Sequence, residues 1–319
     1  MTVTDSLSEL GQMSPEIDYS RLKFETIKVD LRGHIVIVKL NRPQARNSWN
    51  VLMQEEIVKI YGLLDEDNRI KAVILSSLPV GNSFCVGADL SQGDFSSRGS
   101  GSEGPEAIFL PEEHRDTGGK AALAVHRLRK LTIAAINGDA VGIGITMTLP
   151  FDLRIVWSSA KIGFIFAKRA ISSEACSSYF LPRLIGYSKA LELFLKAEII
   201  PATHPSLKQL FCRLIDQQVD VLPTAISLAE KLCEENSILS IVSIKQLVWH
   251  AFPTPEQQYL LESELMARLG NSNDSKESVK AFRAKRKARF SSKVPQDLVI
   301  RPWWNLIDVR NRVEVKSKL

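Results

Sequence analysis

Two glycine-containing turns carry the pattern in this 319-residue chain that most suggests chemistry. One is Ser83-Phe84-Cys85-Val86-Gly87-Ala88-Asp89-Leu90, and the other is Asn137-Gly138-Asp139-Ala140-Val141-Gly142-Ile143-Gly144. Backbone N–H groups at such turns are free to point at a negatively charged oxygen. Two of them aimed at one point form an oxyanion hole, although each turn alone is equally compatible with ordinary turn geometry. Neither turn matches the phosphate loop GxxxxGK[ST] or the dinucleotide fingerprint GxGxxG.

The elements that must hold these turns alternate between strand and helix patterns. β-branched or apolar runs predict four buried strands, at residues 35–40, 72–76, 132–136 and 152–156. Helical spacing of apolar residues marks two segments between them, residues 51–64 and 120–130. After Leu181 the strand signals fade, and the pattern is mainly helical over residues 225–249 and 255–289. This order predicts an α/β core followed by a C-terminal helical region.

Composition and charge exclude several other classes of protein. Hydrophobic residues make up 45% of the chain, as in a globular protein with its own core. The four cysteines lack CxxC or metal-ligand spacing, so we expect reduced thiols and no metal site. The most apolar stretch, residues 131–151, contains Asn137, Asp139 and Pro150, so we expect no membrane span there. The N-terminus lacks a basic region followed by an apolar run, so we expect no secretory leader.

Positive charge is concentrated at the C-terminal end. From Phe282 onward the chain has eleven Lys or Arg against three Asp or Glu. Such a segment suits nucleic acid or a small polyphosphate such as coenzyme A. No nucleic-acid-binding module accompanies it, so the small ligand is favoured.

Together with segments elsewhere in the chain, the two turns resemble the crotonase (enoyl-CoA hydratase/isomerase) superfamily. The resemblance runs from about residue 24 to residue 290. Its pieces, in chain order, are Leu40-Asn41-Arg42-Pro43 with Ala45-Arg46-Asn47, Gly87-Ala88-Asp89-Leu90, Ala134-Ala135-Ile136-Asn137-Gly138 with Gly142-Ile143-Gly144, Asp152-Leu153-Arg154-Ile155, Leu181-Pro182-Arg183-Leu184-Ile185-Gly186, and Ala281-Phe282-Arg283-Ala284-Lys285-Arg286.

The resemblance implies a fold, an assembly and a shared chemistry. The fold is an α/β crotonase-like spiral of ββα units with a C-terminal helical trimerisation region, so a homotrimer or hexamer is expected. The chemistry is stabilisation of a thioester enolate, with the N–H groups of Ala88 and Ile143 as donors to its oxygen. Loss of one such donor costs on the order of 3 kcal/mol. The substrate is then an acyl-coenzyme A thioester, and no permanently bound cofactor is expected.

Departures from the family pattern bear on which reaction is catalysed. Hydratases of the family use two glutamates, and the corresponding positions here are Thr146 and Phe166. A carboxylate does occur in Ser173-Glu174-Ala175-Cys176-Ser177-Ser178, which is similar to the acid/base segment of peroxisomal Δ3,Δ2-enoyl-CoA isomerases. The resemblance implies that Glu174 is the single acid/base. One carboxylate suffices to shift a double bond, because the group that removes the proton can return it elsewhere.

The resemblance also implies a set of substrate-binding residues. The loop after the first strand would line the adenine pocket around Ala45 and Arg46, and the basic C-terminal helix would reach phosphates through Lys285 and Lys287. An apolar pocket containing aromatic side chains would raise the pKa of Glu174 toward working pH. The remaining residues assigned to the pocket are Gly87, Asp89, Gly142, Phe164 and Phe166.

Four regions follow from these observations. Residues 1–20 form a flexible lead-in, 21–215 the spiral core, 216–290 a helical region for coenzyme A capping and trimerisation, and 291–319 an extension. The extension ends in Ser317-Lys318-Leu319, the address read by the peroxisomal import receptor. We therefore expect a peroxisomal location.

Three hypotheses for function remain at this point. The favoured one is an enoyl-CoA isomerase acting through Glu174. The second is an enoyl-CoA hydratase or dehydratase that acts on an unusual acyl-CoA in a specialised biosynthetic pathway. The third is a catalytically silent subunit that binds coenzyme A, which the loss of both hydratase acids motivates. Assays with 2-enoyl-CoA and 3-enoyl-CoA separate them.

Overall fold

The computed structural model describes residues 17–92, 114–298, 302, 303, 307 and 309. Most of the expected lead-in, residues 1–16, and the tripeptide at 317–319 lie outside the described residues. The strands in the described part are β1 (Ile27–Arg32), β2 (Ile35–Leu40), β3 (Ala72–Ser77), β4 (Ser83–Cys85), β5 (Leu131–Ile136), β6 (Asp139–Val141), β7 (Leu153–Trp157), β8 (Lys161–Gly163), β9 (Ile199–Pro201) and β10 (Arg213–Ile215). The α-helices there are α1 (Val51–Glu66), α2 (Thr117–Arg127), α3 (Ile143–Thr146), α4 (Ser177–Ile185), α5 (Tyr187–Lys196), α6 (Val221–Glu235), α7 (Ile238–Trp249), α8 (Pro255–Gly270) and α9 (Asn273–Arg283).

A six-stranded sheet in the order β1-β2-β3-β5-β7-β10 forms the centre of the molecule. β1 is antiparallel to β2, and the other neighbours are parallel. The four strands expected from the sequence are β2, β3, β5 and β7, each within one residue of its expected bounds. Their apolar runs are continuous because both faces of a parallel sheet are covered.

The two faces of this sheet pack against different helices. Ile37, Ile74 and Ile133 point to one side, where Ala225 and Ala229 of α6 cover them. Val38, Leu75 and Ala134 point to the other side, into a larger core that includes Met53 and Ile57 of α1. This division follows from the strand geometry, since successive side chains point to opposite faces.

A second, four-stranded sheet in the order β4-β6-β8-β9 carries the two glycine turns. β4 runs parallel to β6, with Ser83 opposite Asp139, and β6 runs parallel to β8. Each strand has only three residues. Because neighbouring parallel strands end at the same edge of a sheet, the turns that follow β4 and β6 leave side by side.

The C-terminal helices and the extension complete the chain. The helical segment expected at 225–249 is two helices, α6 and α7, separated at Asn236 and Ser237. Among the described residues, none of the helices combines the length and the apolar character needed to cross a membrane. Described residues of the extension contact the rest of the chain at two places: Trp303 Nε1 donates to His250 O, just after α7, at 2.9 Å, and Arg115 Nε, just before α2, donates to Val309 O at 2.6 Å.

Candidate active site

The two glycine turns lie directly against each other at the edge of the small sheet. Gly87 has φ +105°, and Gly142 has φ +56° with ψ −126°, which L side chains rarely adopt. A Cβ built on Gly142 would lie only 3.8 Å from Cα of Gly87. Because the glycines are adjacent, the residues that follow them, Ala88 and Ile143, line the same cavity.

The N–H groups of Ala88 and Ile143 are not used in the backbone hydrogen bonds of the elements next to them. Ala88 forms a parallel bridge with Trp49, in which Trp49 N–H donates to Gly87 O and Asp89 N–H donates to Trp49 O, each at 2.8 Å. The residue between two such bonds turns its own N–H to the opposite side. Ile143 is the first residue of α3, where N–H groups lack an intrahelical acceptor. Two main-chain donors therefore border one cavity.

An ion pair fixes the first turn from outside. Arg42 Nη2 lies 2.8 Å from Asp89 Oδ2, and Arg42 Nη1 donates to Ser48 O at 2.5 Å. Hydrogen bonds from Ser91 and Arg42 lower the pKa of Asp89 to about 2. Asp89 is thus held ionised and engaged, so its carboxylate anchors the turn rather than exchanging protons.

Glu174 borders the same cavity and is bound by the side chain that occupies one hydratase-glutamate position. Thr146 Oγ1 donates to Glu174 Oε1 at 2.5 Å. The other oxygen lies beside α2 and α3: a Cβ built on Gly118 would be 2.2 Å from Glu174 Oε2 and 2.7 Å from Ile143 Cδ1. The Glu174 carboxylate and the Ile143 side chain therefore both lie next to Gly118, in space that a side chain at 118 would fill.

A strained turn directs Glu174 inward. Ala175 and Cys176 both have positive φ, at +51° and +54°. Each non-glycine residue in this conformation costs about 1–2 kcal/mol. Asp116 supports the turn, since its Oδ1 accepts from Ala175 N–H at 3.3 Å and from Gly119 N–H at 2.6 Å. The two residues in a costly backbone conformation thus directly follow Glu174, whose carboxylate faces the cavity.

Burial sets the acidity of Glu174. The pKa of Glu174 is raised to about 8. Removal from water is the largest cause and the nearby Asp116 acts in the same direction, whereas the hydrogen bond from Thr146 lowers the pKa. A carboxylate with such a pKa is a strong base when ionised and can return the proton near neutral pH.

The cavity has a volume of about 500 Å³. It brings together seven of the residues expected from the sequence: Gly87, Ala88, Asp89, Gly142, Ile143, Phe166 and Glu174. Ile165 and Ile171 add apolar surface, and His114 and Arg169 add polar groups. The wall is thus mainly apolar, with two main-chain donors and the carboxyl group of the half-buried Glu174.

Five other residues expected at the site lie outside this cavity wall. Phe164 is in the core behind it, edge-on to Phe194 at a ring separation of 5.7 Å. Ala45 is half-buried, whereas Arg46, Lys285 and Lys287 are exposed. A role for the last four in binding coenzyme A stays a prediction. Across residues 17–92, 114–298 and the isolated described positions, no cluster of His, Cys, Asp or Glu suits a metal ion.

Comparison with known proteins identifies the family. The family model described as enoyl-CoA hydratase/isomerase matches residues 30–293. The enoyl-CoA hydratase ACTT3 of Alternaria alternata is 38% identical over 280 residues, covering 87% of this chain and 90% of that protein. The chain belongs to the crotonase superfamily.

Proteins of this superfamily that are named for different activities resemble the chain. The 1,2-epoxyphenylacetyl-CoA isomerase of Escherichia coli is 28% identical over 263 residues, covering 81% of this chain and 95% of that protein. The crystal structure of an enoyl-CoA hydratase from Bacillus anthracis has a TM-score of 0.73 at 27% identity and covers 83% of this chain and 99% of that one. The protein is thus an enzyme of the crotonase superfamily with its α/β fold.

Sequence reasoning missed three residues of this crotonase-type site. Thr146 was noted only as a lost glutamate, whereas its hydroxyl binds Glu174. Asp116 and Gly118 precede the helix that the sequence predicts at 120–130. In the structure this helix, α2, begins earlier, at Thr117, so that Asp116 and Gly118 lie at its start. Asp116 is the N-cap of α2, and an Asp at that position is a recognisable start signal.

Proposed function

We propose that this protein is an enoyl-CoA isomerase that moves a double bond from the 3-position to the 2-position of an acyl-coenzyme A thioester. The observation that carries the proposal is the pairing of one carboxyl group, that of the half-buried Glu174, with the main-chain donors Ala88 and Ile143 around one mainly apolar cavity. Residues at both hydratase-glutamate positions, Thr146 and Phe166, lack a carboxylate.

The reaction needs one proton carrier and one site for negative charge. Ionised Glu174 removes a proton from C2, and the electron pair passes through the thioester to leave a dienolate with its charge on the carbonyl oxygen. The amides of Ala88 and Ile143 stabilise that oxygen, a contribution of about 3 kcal/mol for each donor. The carboxylic acid then returns the proton to C4, the double bond forms between C2 and C3, and the thioester carbonyl is restored.

The raised pKa of Glu174 gives this mechanism a pH dependence. Only the ionised form removes a proton, and burial raises the pKa of the carboxyl to about 8. The value of kcat/KM for a 3-enoyl-CoA is therefore expected to rise with pH up to about 8 and then level off. A two-carboxylate hydratase would instead show a bell-shaped profile.

Replacement of Glu174 by Gln tests the proposal. The amide keeps the size of the side chain but cannot take a proton, so conversion of 3-enoyl-CoA to 2-enoyl-CoA should fall by about 10³-fold or more. Binding of the thioester, followed by calorimetry, should change little. Undiminished turnover by Glu174→Gln would reject the mechanism, and binding without turnover by the wild-type protein on every enoyl-CoA would favour the silent-subunit alternative.

A second candidate is hydration or dehydration of a double bond. The observation that favours it is a second carboxylate in the cavity wall, because Asp116 lines the cavity and raises the pKa of Glu174. A pair of carboxylates can orient and activate a water molecule. Formation of 3-hydroxyacyl-CoA from 2-enoyl-CoA, lost in Asp116→Asn, would establish this reaction instead.

The location and assembly are proposed on separate grounds. Ser317-Lys318-Leu319 supports import into the peroxisome, which a fluorescent fusion with and without the three residues would test. Exposed apolar side chains on several helices support a homo-oligomer: Tyr187, Leu191, Leu195, Ile244, Val248, Tyr259, Leu260 and Met266. Light scattering coupled to size-exclusion chromatography would give the mass directly; a mass equal to the 35.6-kDa chain would contradict an oligomer.

A further inference from the structure

The hydroxyl of Thr146 has one proton and two acceptors within reach. Its Oγ1 lies 2.5 Å from Glu174 Oε1 and 3.2 Å from Gly142 O. The side chain is fully buried. The hydroxyl can donate to only one of them at a time. Gly142 O also accepts from the N–H groups of Ile145 and Thr146, each at 3.0 Å, so the acceptor that depends on the hydroxyl is Glu174 Oε1. Leaving that oxygen without its donor costs free energy.

The two acceptors belong to the two halves of the site. Gly142 O and the Ile143 N–H are parts of one peptide unit, which is planar. The N–H groups of Ile145 and Thr146 hold that carbonyl and so set the direction of the Ile143 amide, and the Thr146 hydroxyl lies within reach of the same carbonyl. Thr146 thus contacts both the carboxylate and the peptide that carries an oxyanion donor.

The contacts of Glu174 distinguish its two oxygens. Oε1 is bound by the Thr146 hydroxyl. Oε2 lies beside Cα of Gly118, where the missing side chain leaves room and where Ile143 Cδ1 also approaches. Oε1 is therefore an anchored oxygen, whereas Oε2 accepts no hydrogen bond from the described residues and is the oxygen left to carry a proton.

We propose that Thr146 is a positioning residue, which fixes Oε1 of Glu174 so that Oε2 carries the proton between C2 and C4. This assignment rests on the proposed isomerase function and deepens it. When Glu174 is ionised, Thr146 donates to Oε1. When Oε2 holds the proton, Oε1 is a carbonyl oxygen and a weaker acceptor, and the same hydroxyl can turn toward Gly142 O.

The hydroxyl therefore favours the ionised form of the carboxyl. It lowers the pKa of Glu174 against the larger effect of burial. The other charged and titratable groups around the site are unchanged by a substitution at 146. They are Asp116 on the loop before α2, Cys85 at the end of β4, Cys176 before α4, the ion-paired Asp89 and Arg42, and His114 and Arg169 in the cavity wall.

Three variants test the assignment in the full-length enzyme with a 3-enoyl-CoA substrate. Thr146→Val keeps the shape but has no hydroxyl, so kcat should fall by about 10²-fold at pH 7 with little change in KM. The rising limb of its pH profile should move up by about one unit. Thr146→Ser keeps the hydroxyl and should restore the limb to its wild-type position.

Thr148→Val is the matched control. Thr148 is also fully buried, and its hydroxyl donates to Ile145 O at 2.7 Å outside the cavity wall. This variant should lose stability while keeping the wild-type pH profile. A shift in the Thr148→Val profile equal to that of Thr146→Val would overturn the assignment, because the effect would then be general to buried hydroxyls.

The proposal and the underlying function fail in different ways. Full turnover by Glu174→Gln would reject the isomerase mechanism itself. Loss of turnover in Glu174→Gln, together with wild-type kcat and pH profile in Thr146→Val, would reject only the role of Thr146. If Thr146→Val does not fold, Thr146→Ala removes the same hydroxyl. The pKa of Glu174 can also be measured directly, by following with pH the infrared carboxylic-acid band that is absent in Glu174→Gln. Loss of the hydroxyl should raise that pKa by the same amount as it moves the kinetic profile.

Discussion

The two walls of the cavity present different kinds of polar group. One wall is main chain, with the N–H groups of Ala88 and Ile143 presented by adjacent glycine turns. The other wall is side chain, with Glu174 held by Thr146. The first wall has dipoles that do not titrate, whereas the second has a carboxyl group whose pKa burial raises to about 8.

This difference predicts which substitutions each wall tolerates. A main-chain donor survives any side chain that leaves the backbone conformation intact, so the identity of residues 88 and 143 should matter little. A side-chain acid depends on its length, its partner and its degree of burial. The predictions below test this contrast, beginning with the largest expected effect.

Shortening the carboxylate should be the most damaging conservative change. Glu174→Asp removes one methylene, so the carboxyl cannot keep both the Thr146 bond and its place beside Gly118. We expect kcat for 3-enoyl-CoA to fall by about 10³-fold, because misplacement by about 1 Å alone costs about 10²-fold and the hydrogen bond is lost in addition. Steady-state kinetics measure this loss. Affinity for the thioester, measured in parallel, should stay within about threefold of wild type.

The same carboxyl should weaken the fold at high pH. Its folded pKa of about 8 lies above its ordinary 4.5, so the unfolded chain releases the proton first as pH rises. Stability from this group is complete below about pH 4.5, declines between 4.5 and 8, and is lost above that range. Relative to wild type, Glu174→Gln should gain up to about 4 kcal/mol of unfolding free energy between pH 5 and pH 9. Urea unfolding of both proteins at pH 5 and at pH 9 measures the gain. If the difference in unfolding free energy between variant and wild type were the same at the two pH values, the raised pKa of Glu174 would be contradicted.

Distorting the backbone should damage the main-chain wall although no charge is altered. Gly142→Ala places a Cβ on a residue with φ +56° and ψ −126°, so the peptide carrying the Ile143 amide must rotate. Loss of that donor corresponds to a fall in kcat of about 10²-fold.

A matched glycine separates this effect from strain alone. Gly186 has φ +86°, lies at the end of α4, and has open space around its Cβ position. Gly186→Ala should therefore lower the melting temperature but not kcat. Equal losses of kcat in the two variants would show that the Gly142 effect is not specific to the oxyanion donor.

The main-chain wall was the more predictable of the two. The glycine turns stand out in the sequence because they follow apolar runs, and Gly87 and Gly142 both adopt positive φ. The partnership of β4 with β6 was not predictable, because three-residue strands carry too little periodicity to be recognised. The turns were thus visible in the sequence, but the small sheet that brings them together was not.

The side-chain wall was predictable only in part. Glu174 was identified through the family resemblance, and the structure brings it to the cavity. Its hydrogen bond to Thr146 joins residues that are 28 positions apart in the chain. The bond also depends on a strained turn at Ala175, and no local sequence propensity predicts positive φ there. The start of α2 was placed too late because Gly118 and Gly119 are poor helix formers. Those glycines are needed for space, since Cβ atoms there would meet Glu174 Oε2 and Asp116 Oδ2.

The smallest expected effect sharpens the comparison most. Ile143→Val removes one methyl group from the main-chain wall, just as Glu174→Asp removes one methylene from the side-chain wall. Valine keeps the β-branch and the amide, so the oxyanion donor stays in place. We expect kcat to fall by no more than about twofold, and the pH profile to move slightly downward, because Ile143 Cδ1 helps keep water from Oε2 beside Gly118. A loss approaching that of Glu174→Asp would mean that the Ile143 side chain, rather than its amide, is the functional group at this position.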